Sequence, residues 1–140
     1  AISEFAVRIA ESRLPGASIR QPDDLAALLM PYFRQLTQEE FVVVLLDTTN
    51  KVISRRTVFR GSLNASIVHP REVFKYAIRH SAAAVVVAHN HPSGDPTPST
   101  NDIEITKKLF EAGKIISIEV LDHIIIGDGR FVSLKAKGVI

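Results

Sequence analysis

Cysteine does not occur in this chain, and that one absence removes disulfides, thiolate zinc sites and a cysteine nucleophile together. No stretch stays apolar for the ~18 residues a membrane helix requires, and no signal-peptide pattern is present. Membrane insertion and secretion therefore have no support, and a cytoplasmic location is expected. Charge of one sign is also scarce. The formal net charge is +2, and Arg55-Arg56, Lys107-Lys108, Lys135 and Lys137 are scattered rather than gathered into a stripe. Nucleic-acid binding by this segment is accordingly expected to be weak or absent. There is no internal repeat, no low-complexity segment and no H-E-x-x-H, and the zinc-deaminase signature fails for want of cysteines.

What is present suits one globular domain: 140 residues, 46% hydrophobic and 23% charged, enough for a real core. The first residue is Ala rather than Met and the chain opens mid-pattern, so it reads as a fragment of a longer protein. Ile2, Phe5, Ala6, Ile9 and Ala10 recur at helical spacing, and Pro15-Gly16 ends that element. Pro22-Asp23-Asp24 opens a second helix, with proline and acids suited to its first turn. Phe41 to Leu46 is apolar on both faces, and Asp47-Thr48-Thr49-Asn50 turns it into a second strand ending near Phe59. A helix is predicted from His69-Pro70-Arg71-Glu72 to about His80, and another from about Ser99 to a stop at Gly113. Ile115–Val120, His123–Ile126 and Arg130–Leu134 read as three strands, the last two joined at Asp128-Gly129. This order predicts an α/β fold, a mixed sheet with helices packed against it.

The most informative segment is Ala82 to Asp102. A β-branched apolar run, bounded by a Pro/Gly loop, ends in His89-Asn90-His91 and reads as a buried strand. Residues two apart on a strand point the same way, so His89 and His91 can converge on one ion while Asn90 faces the opposite side. Pro92-Ser93-Gly94-Asp95-Pro96-Thr97-Pro98 cannot continue a strand or a helix, and a tight loop there would return Asp102 to the histidines. Two His and one carboxylate leave a tetrahedral zinc one position open for water, whose pKa the metal lowers to roughly 7. Hydrolysis then needs a base outside the ligand set. Glu39 and Glu40, at the mouth of the first buried strand, are the candidates, and Ser99 is placed to donate to an oxyanion.

His89-x-His91, seven residues, Ser99, two residues and Asp102 closely resemble the JAMM (MPN+/JAB1) metalloprotease motif. Ala88-His89-Asn90-His91-Pro92-Ser93-Gly94, with Phe59-Arg60-Gly61, His69-Pro70-Arg71-Glu72 and Val120-Leu121-Asp122-His123, is similar to its bacterial RadC-like branch. The resemblance covers the chain from about residue 19. It implies Zn²⁺ on His89, His91 and Asp102, with Ser99 as transition-state donor. The family's upstream glutamate maps onto Glu39 or Glu40, and Glu39 is preferred. It also implies a three-layer MPN/JAB1-like (cytidine-deaminase-like) fold over residues 19–140, with residues 1–18 as the trailing edge of a preceding helical segment. The implied activity is a zinc-dependent hydrolase, a metallopeptidase acting on a peptide or isopeptide bond of a protein substrate. The family is traditionally called a DNA repair family, and nothing in these residues carries that role directly.

Duller readings stand beside these. Ser99 and Asp102 fit an S-x-x-D capping box that needs no metal, although Thr97-Pro98 offers a competing helix start. Asp95 is a rival ligand, but between Gly94 and Pro96 it reads better as turn chemistry. Glu39 and Glu40 are also consistent with solvated residues at a strand entrance. His69, His80 and His123 are left outside the site as structural or exposed, with a supporting contact from Asp122-His123 left open. A rival from another class is a non-catalytic module that keeps its metal for structure and binds DNA or protein. An open coordination position with an acid in reach separates the enzyme from that module. Substrate and oligomeric state are not encoded in any motif recognised here.

Overall fold

The computed structural model describes residues 13–140, so the helix read at residues 2–10 lies outside the described residues. Within them the elements are α1 (Pro22–Arg34), β1 (Glu40–Leu46), β2 (Val52–Arg60), α2 (Pro70–Arg79), β3 (Ala84–Asn90), α3 (Thr100–Ile116), β4 (Glu119–Ile126) and β5 (Phe131–Ser133). The five strands form one sheet in the order β2-β1-β3-β4-β5. β1 pairs antiparallel with β2 and β3, β3 pairs parallel with β4, and β4 pairs antiparallel with β5. The sheet is therefore mixed, as the order of elements predicts. Its parallel pair is joined through α3, because parallel neighbours need a crossover rather than a hairpin.

Alternation on the central strands divides the core into two layers. Phe41, Val43, Leu45, Val85 and Val87 pack with Val73, Phe74, Ile105 and Leu109 of α2 and α3. Val42, Val44, Leu46, Val86 and Ala88 pack on the other side with Leu25, Leu29 and Phe33 of α1. Helices on both faces explain why every residue of β1 and of β3 is buried. None of the helices among the described residues is long and apolar enough to cross a membrane.

Two local expectations are corrected. α3 does not stop at Gly113 but runs to Ile116 and ends at Ser117, which takes a left-handed φ of 66°. Gly113 is there for closeness. A Cβ would lie 2.5 Å from the Ile118 carbonyl oxygen and 3.2 Å from Val120 Cγ2. Of the two strands read at Ile115–Val120 and His123–Ile126, Ile115 and Ile116 belong to α3, and Glu119 to Ile126 form one strand, β4, with a register shift opposite Val85/Val86. Asp122 does not interrupt it, because its carboxylate accepts from the Ser133 hydroxyl at 2.6 Å, the His123 N–H at 2.7 Å and the Lys135 N–H at 3.1 Å. A fully bonded carboxylate is tolerated inside a sheet.

Candidate metal centre

β3 delivers the first histidine and the loop after it delivers the second. Phe41 of β1 is paired with His89, and His91, just past the strand end, still donates its N–H to Ile126 O at 2.9 Å. Both histidines are thus fixed by a backbone ladder before any side-chain contact is made. The following loop is clamped on the β4–β5 hairpin. Asp128 N donates to Gly94 O at 2.8 Å, and Gly127 packs so closely that a Cβ would lie 2.3 Å from that oxygen. Gly94 itself takes φ 94°, a conformation glycine adopts freely. This clamp reverses the chain and sets the N-terminus of α3 beside β3.

There Asp102 meets the histidines. Its Oδ1 lies 3.1 Å from His89 Nε2 and its Oδ2 lies 3.1 Å from His91 Nε2. The donor atoms of the three residues all fall within 4.8 Å of one another. His91 Nδ1 faces the Asp95 carbonyl at 2.9 Å. A carbonyl only accepts, so Nδ1 carries the proton, and in the neutral ring Nε2 is a lone pair aimed at Asp102. His89 Nε2 is buried with no hydrogen-bond partner, despite its 3.1 Å approach to the carboxylate. An orphaned buried nitrogen facing a carboxylate calls for a cation between them. Two imidazole nitrogens and a carboxylate oxygen are the donor set that suits zinc. The residues fit the ion.

The electrostatics follow from the same contacts. A proton can occupy the same place as a cation: once His91 is protonated its Nε2–H donates to Asp102, and this bond pushes His91 above the usual imidazole value, against burial, with help from the Asp95 carbonyl. Burial works to raise the Asp102 carboxyl, but the imidazoles, when protonated towards it, and the Ser99 N–H overcome it and hold the group well below the usual carboxylate range. His123, fully enclosed, is driven well below the ordinary imidazole value by burial and then by the neighbouring His89.

The remaining expected residues are placed as follows. Ser99 is the N-cap of α3: its Oγ accepts from Asp102 N at 3.1 Å, and its own N–H donates to Asp102 Oδ2 at 2.7 Å. The capping box is therefore formed, on the same carboxylate that faces the histidines. Thr97-Pro98 does not start the helix. Asp95 spends its carboxylate on Thr97 N at 3.0 Å and Thr97 Oγ1 at 2.7 Å, which is turn chemistry and not ligation. Glu39 and Glu40 part company. The ladder extends back to residue 39, whose carbonyl accepts from Gly61 N at 2.8 Å, so Glu39 shares the face of Phe41 and His89 while Glu40 takes the opposite one. Glu39 is half-buried, with Oε2 on the Leu63 N–H at 2.7 Å, and its charge adds to the upward shift of His91. Glu40 is buried among Tyr32, Thr57 and Arg60.

Asn90 and Thr106 escaped the sequence reading, and His123 entered it only as an open supporting contact. Asn90 accepts from Glu40 N at 2.8 Å and donates to Gln38 O at 3.0 Å, so one amide holds the backbone on both sides of Glu39. The signal for it was a polar side chain on the buried face of a strand, which must find partners. Behind His89 stand His123, with Nε2 at 2.8 Å from His89 Nδ1, and Thr106, with Oγ1 at 2.6 Å from His123 Nδ1. The supporting contact left open for Asp122-His123 is thus made by His123, on a ligand that no local spacing identifies.

An α/β sheet carrying a buried His-His-Asp cluster at the end of its central strand defines the JAB class of domain. The RadC-like JAB domain family matches residues 19–139, and the chain belongs to that family. It is 62% identical over 122 residues to a UPF0758 protein of Geobacillus sp. (strain WCH70), a match covering 87% of this chain. It is 64% identical over 121 residues, 86% of this chain, to UPF0758 proteins of Bacillus mycoides (strain KBAB4) and Bacillus cereus (strain G9842). The match spans 54% of the length of each of these relatives.

Proposed function

We propose that this domain is a zinc-dependent hydrolase, a metallopeptidase cleaving a peptide or isopeptide bond of a protein substrate. The observation that carries the reading is the orphaned Nε2 of His89 beside the Asp102 carboxylate, completed by the lone pair of His91. Zn²⁺ on these donors supplies Lewis acidity and a water nucleophile at neutral pH. The chain's own residues supply the rest. Glu39 has one oxygen committed to Leu63 N–H, which leaves Oε1 to take a proton and return it to the leaving amine. Ser99 uses an Oγ lone pair to cap the helix, so its hydroxyl proton stays free to donate to a developing oxyanion. Capping and catalysis are compatible uses of the same side chain. A cytoplasmic setting accords with the reading.

The test is hydrolysis of a panel of peptide and isopeptide substrates by zinc-loaded chain, chelated chain and Glu39→Gln. Cleavage by the loaded chain alone is expected. Cleavage that persists equally after chelation, or in Glu39→Gln with metal bound, overturns the reading.

A further inference from the structure

Beyond the ligands, a chain of hydrogen bonds runs from His89 through β4 to α3 and back to Asp102. His89 Nδ1 contacts His123 Nε2 at 2.8 Å, His123 Nδ1 contacts Thr106 Oγ1 at 2.6 Å, and Thr106 Oγ1 contacts the main-chain oxygen of Asp102 at 2.6 Å. All of these groups are buried: His89, His123 and Thr106 are each 0% exposed and Asp102 is 1% exposed. Two features of the fold build the chain. The parallel register sets His123 opposite Val87, two residues before His89. Asp102 and Thr106 lie one helical turn apart on the same side of α3.

Its polarity is determined by elementary chemistry. The Asp102 carbonyl can only accept, so Thr106 must spend its single hydroxyl proton there. Thr106 Oγ1 then has only lone pairs to offer His123, so His123 Nδ1 is the donor. With the proton of the neutral ring on Nδ1, His123 Nε2 accepts, and His89 Nδ1 must donate to it. His89 is left with its lone pair on Nε2, the atom that faces Asp102 Oδ1. The reverse order fails at its far end, where the hydroxyl and carbonyl oxygens would face each other at 2.6 Å with no hydrogen between them.

We propose that Thr106 and His123 are positioning residues that lock His89 in its Nδ1–H tautomer and so set the affinity of the centre for its metal. The inference rests on the metal-centre reading above. Metal-bound histidines generally donate their second N–H to an oxygen acceptor. Here the acceptor is another imidazole, whose own tautomer is set by a threonine on the ligand-bearing helix. The two ends of the relay are both ligand residues, so loss of a middle member disturbs His89 and Asp102 together.

The test uses this chain, zinc as the probe, chelator competition for affinity and long-range ¹H–¹⁵N correlation of the imidazoles for tautomers. The spectra of the unaltered chain are expected to show Nδ1 protonated in both His89 and His123. Thr106→Val, nearly isosteric, is expected to weaken zinc binding about 10–100-fold and to mix the His89 tautomers. Thr106→Ser, which keeps the hydroxyl, is expected to restore both. Protonation of His123 on Nε2 in the unaltered chain overturns the proposal without need of any variant. Unaltered zinc affinity in Thr106→Val, or equal losses in Val and Ser, also overturns it. His89→Ala separates the two readings: zinc retained there sinks the metal centre itself, whereas zinc lost there but retained in Thr106→Val sinks only the relay.

Discussion

At the end of β3 the two faces of one sheet carry opposite solutions to a buried charge. On the α1 face Glu40 is surrounded by donors, with Tyr32 Oη at 2.5 Å, Thr57 Oγ1 at 3.2 Å and Arg60 Nε at 3.4 Å. On the α3 face Asp102 is equally buried and takes one donor, the Ser99 N–H, but in their neutral rings its histidine neighbours present nitrogens that the relay and the Asp95 carbonyl leave without protons. A carboxylate supplied with donors is an internal tie. A carboxylate set against lone pairs is a site awaiting a cation. The two neighbouring glutamates divide between these faces, so a single step along β1 separates a structural acid from a candidate catalytic one.

The comparison breaks most visibly if ligands are removed. The His89→Ala/His91→Ala double variant is expected to fall from one zinc per chain to none by metal analysis. Zinc content equal to that of the unaltered chain would remove the distinction between the faces. Chelation of the unaltered chain should leave the circular dichroism spectrum largely intact, since both core layers are hydrocarbon and need no metal staple. Cooperative unfolding on chelation would make the metal structural.

Next in size is the contrast between the glutamates. Glu39→Gln is expected to keep zinc and lose hydrolysis by about 10²–10⁴-fold. Glu40→Gln should keep the rate and lose roughly 1–3 kcal/mol of stability, because a buried hydrogen-bonded charge is replaced by an amide. Parallel measurement of turnover, bound zinc and urea denaturation separates the two. Full activity in Glu39→Gln with loss in Glu40→Gln would exchange their roles.

How much of this could be read beforehand depended on distance along the chain. The β3 strand, its H-x-H ending and the loop to α3 are local patterns of branching, parity and proline, and the structure follows them closely. Gly113 looked like a stop because glycine usually is one; its reason is a contact with Ile118 and Val120 after the chain reverses. Asp122 looked like a break in a strand because its partners, Ser133 and Lys135, lie beyond the next turn. His123 and Thr106 meet only through the β3–β4 register and the docking of α3, which no local spacing encodes. The parity of Glu39 and Glu40 was foreseen, but its direction depended on how far the β1 ladder extends. A sharper check on the packing lesson is Gly113→Ala, where the added methyl meets backbone and should cost about 1–3 kcal/mol; an unchanged melting temperature would mean that α3 can shift away from β4.

The smallest expected effect concerns pH on the α1 face. Tyr32 is pushed above the ordinary phenol value, first by burial and then by its hydrogen bond to Glu40, with Thr57 and Arg55 working against the shift. The raised value fixes the sign. Below the unfolded pKa of about 10 the phenol is protonated in both states and its contribution to stability is complete. As pH climbs through the raised folded value, the unfolded chain has already ionised, and that contribution is lost. The ring is partly open to solvent and flanked by the Arg55 guanidinium, 4.1 Å from the ring centre, so the effect is a modest steepening of the alkaline limb. Denaturation midpoints between pH 8 and about 11 should therefore fall more steeply in the unaltered chain than in Tyr32→Phe. Phenolate absorbance should assign the late-titrating group to Tyr32 by its absence in that variant. Tyr32→Phe also strips Glu40 of a donor, so its curve should start lower at neutral pH by about 1 kcal/mol and converge on the other as pH rises. Parallel curves would mean that Tyr32 and Glu40 are neighbours without energetic coupling, and the contrast between the two faces would then rest on Thr57 and Arg60 alone.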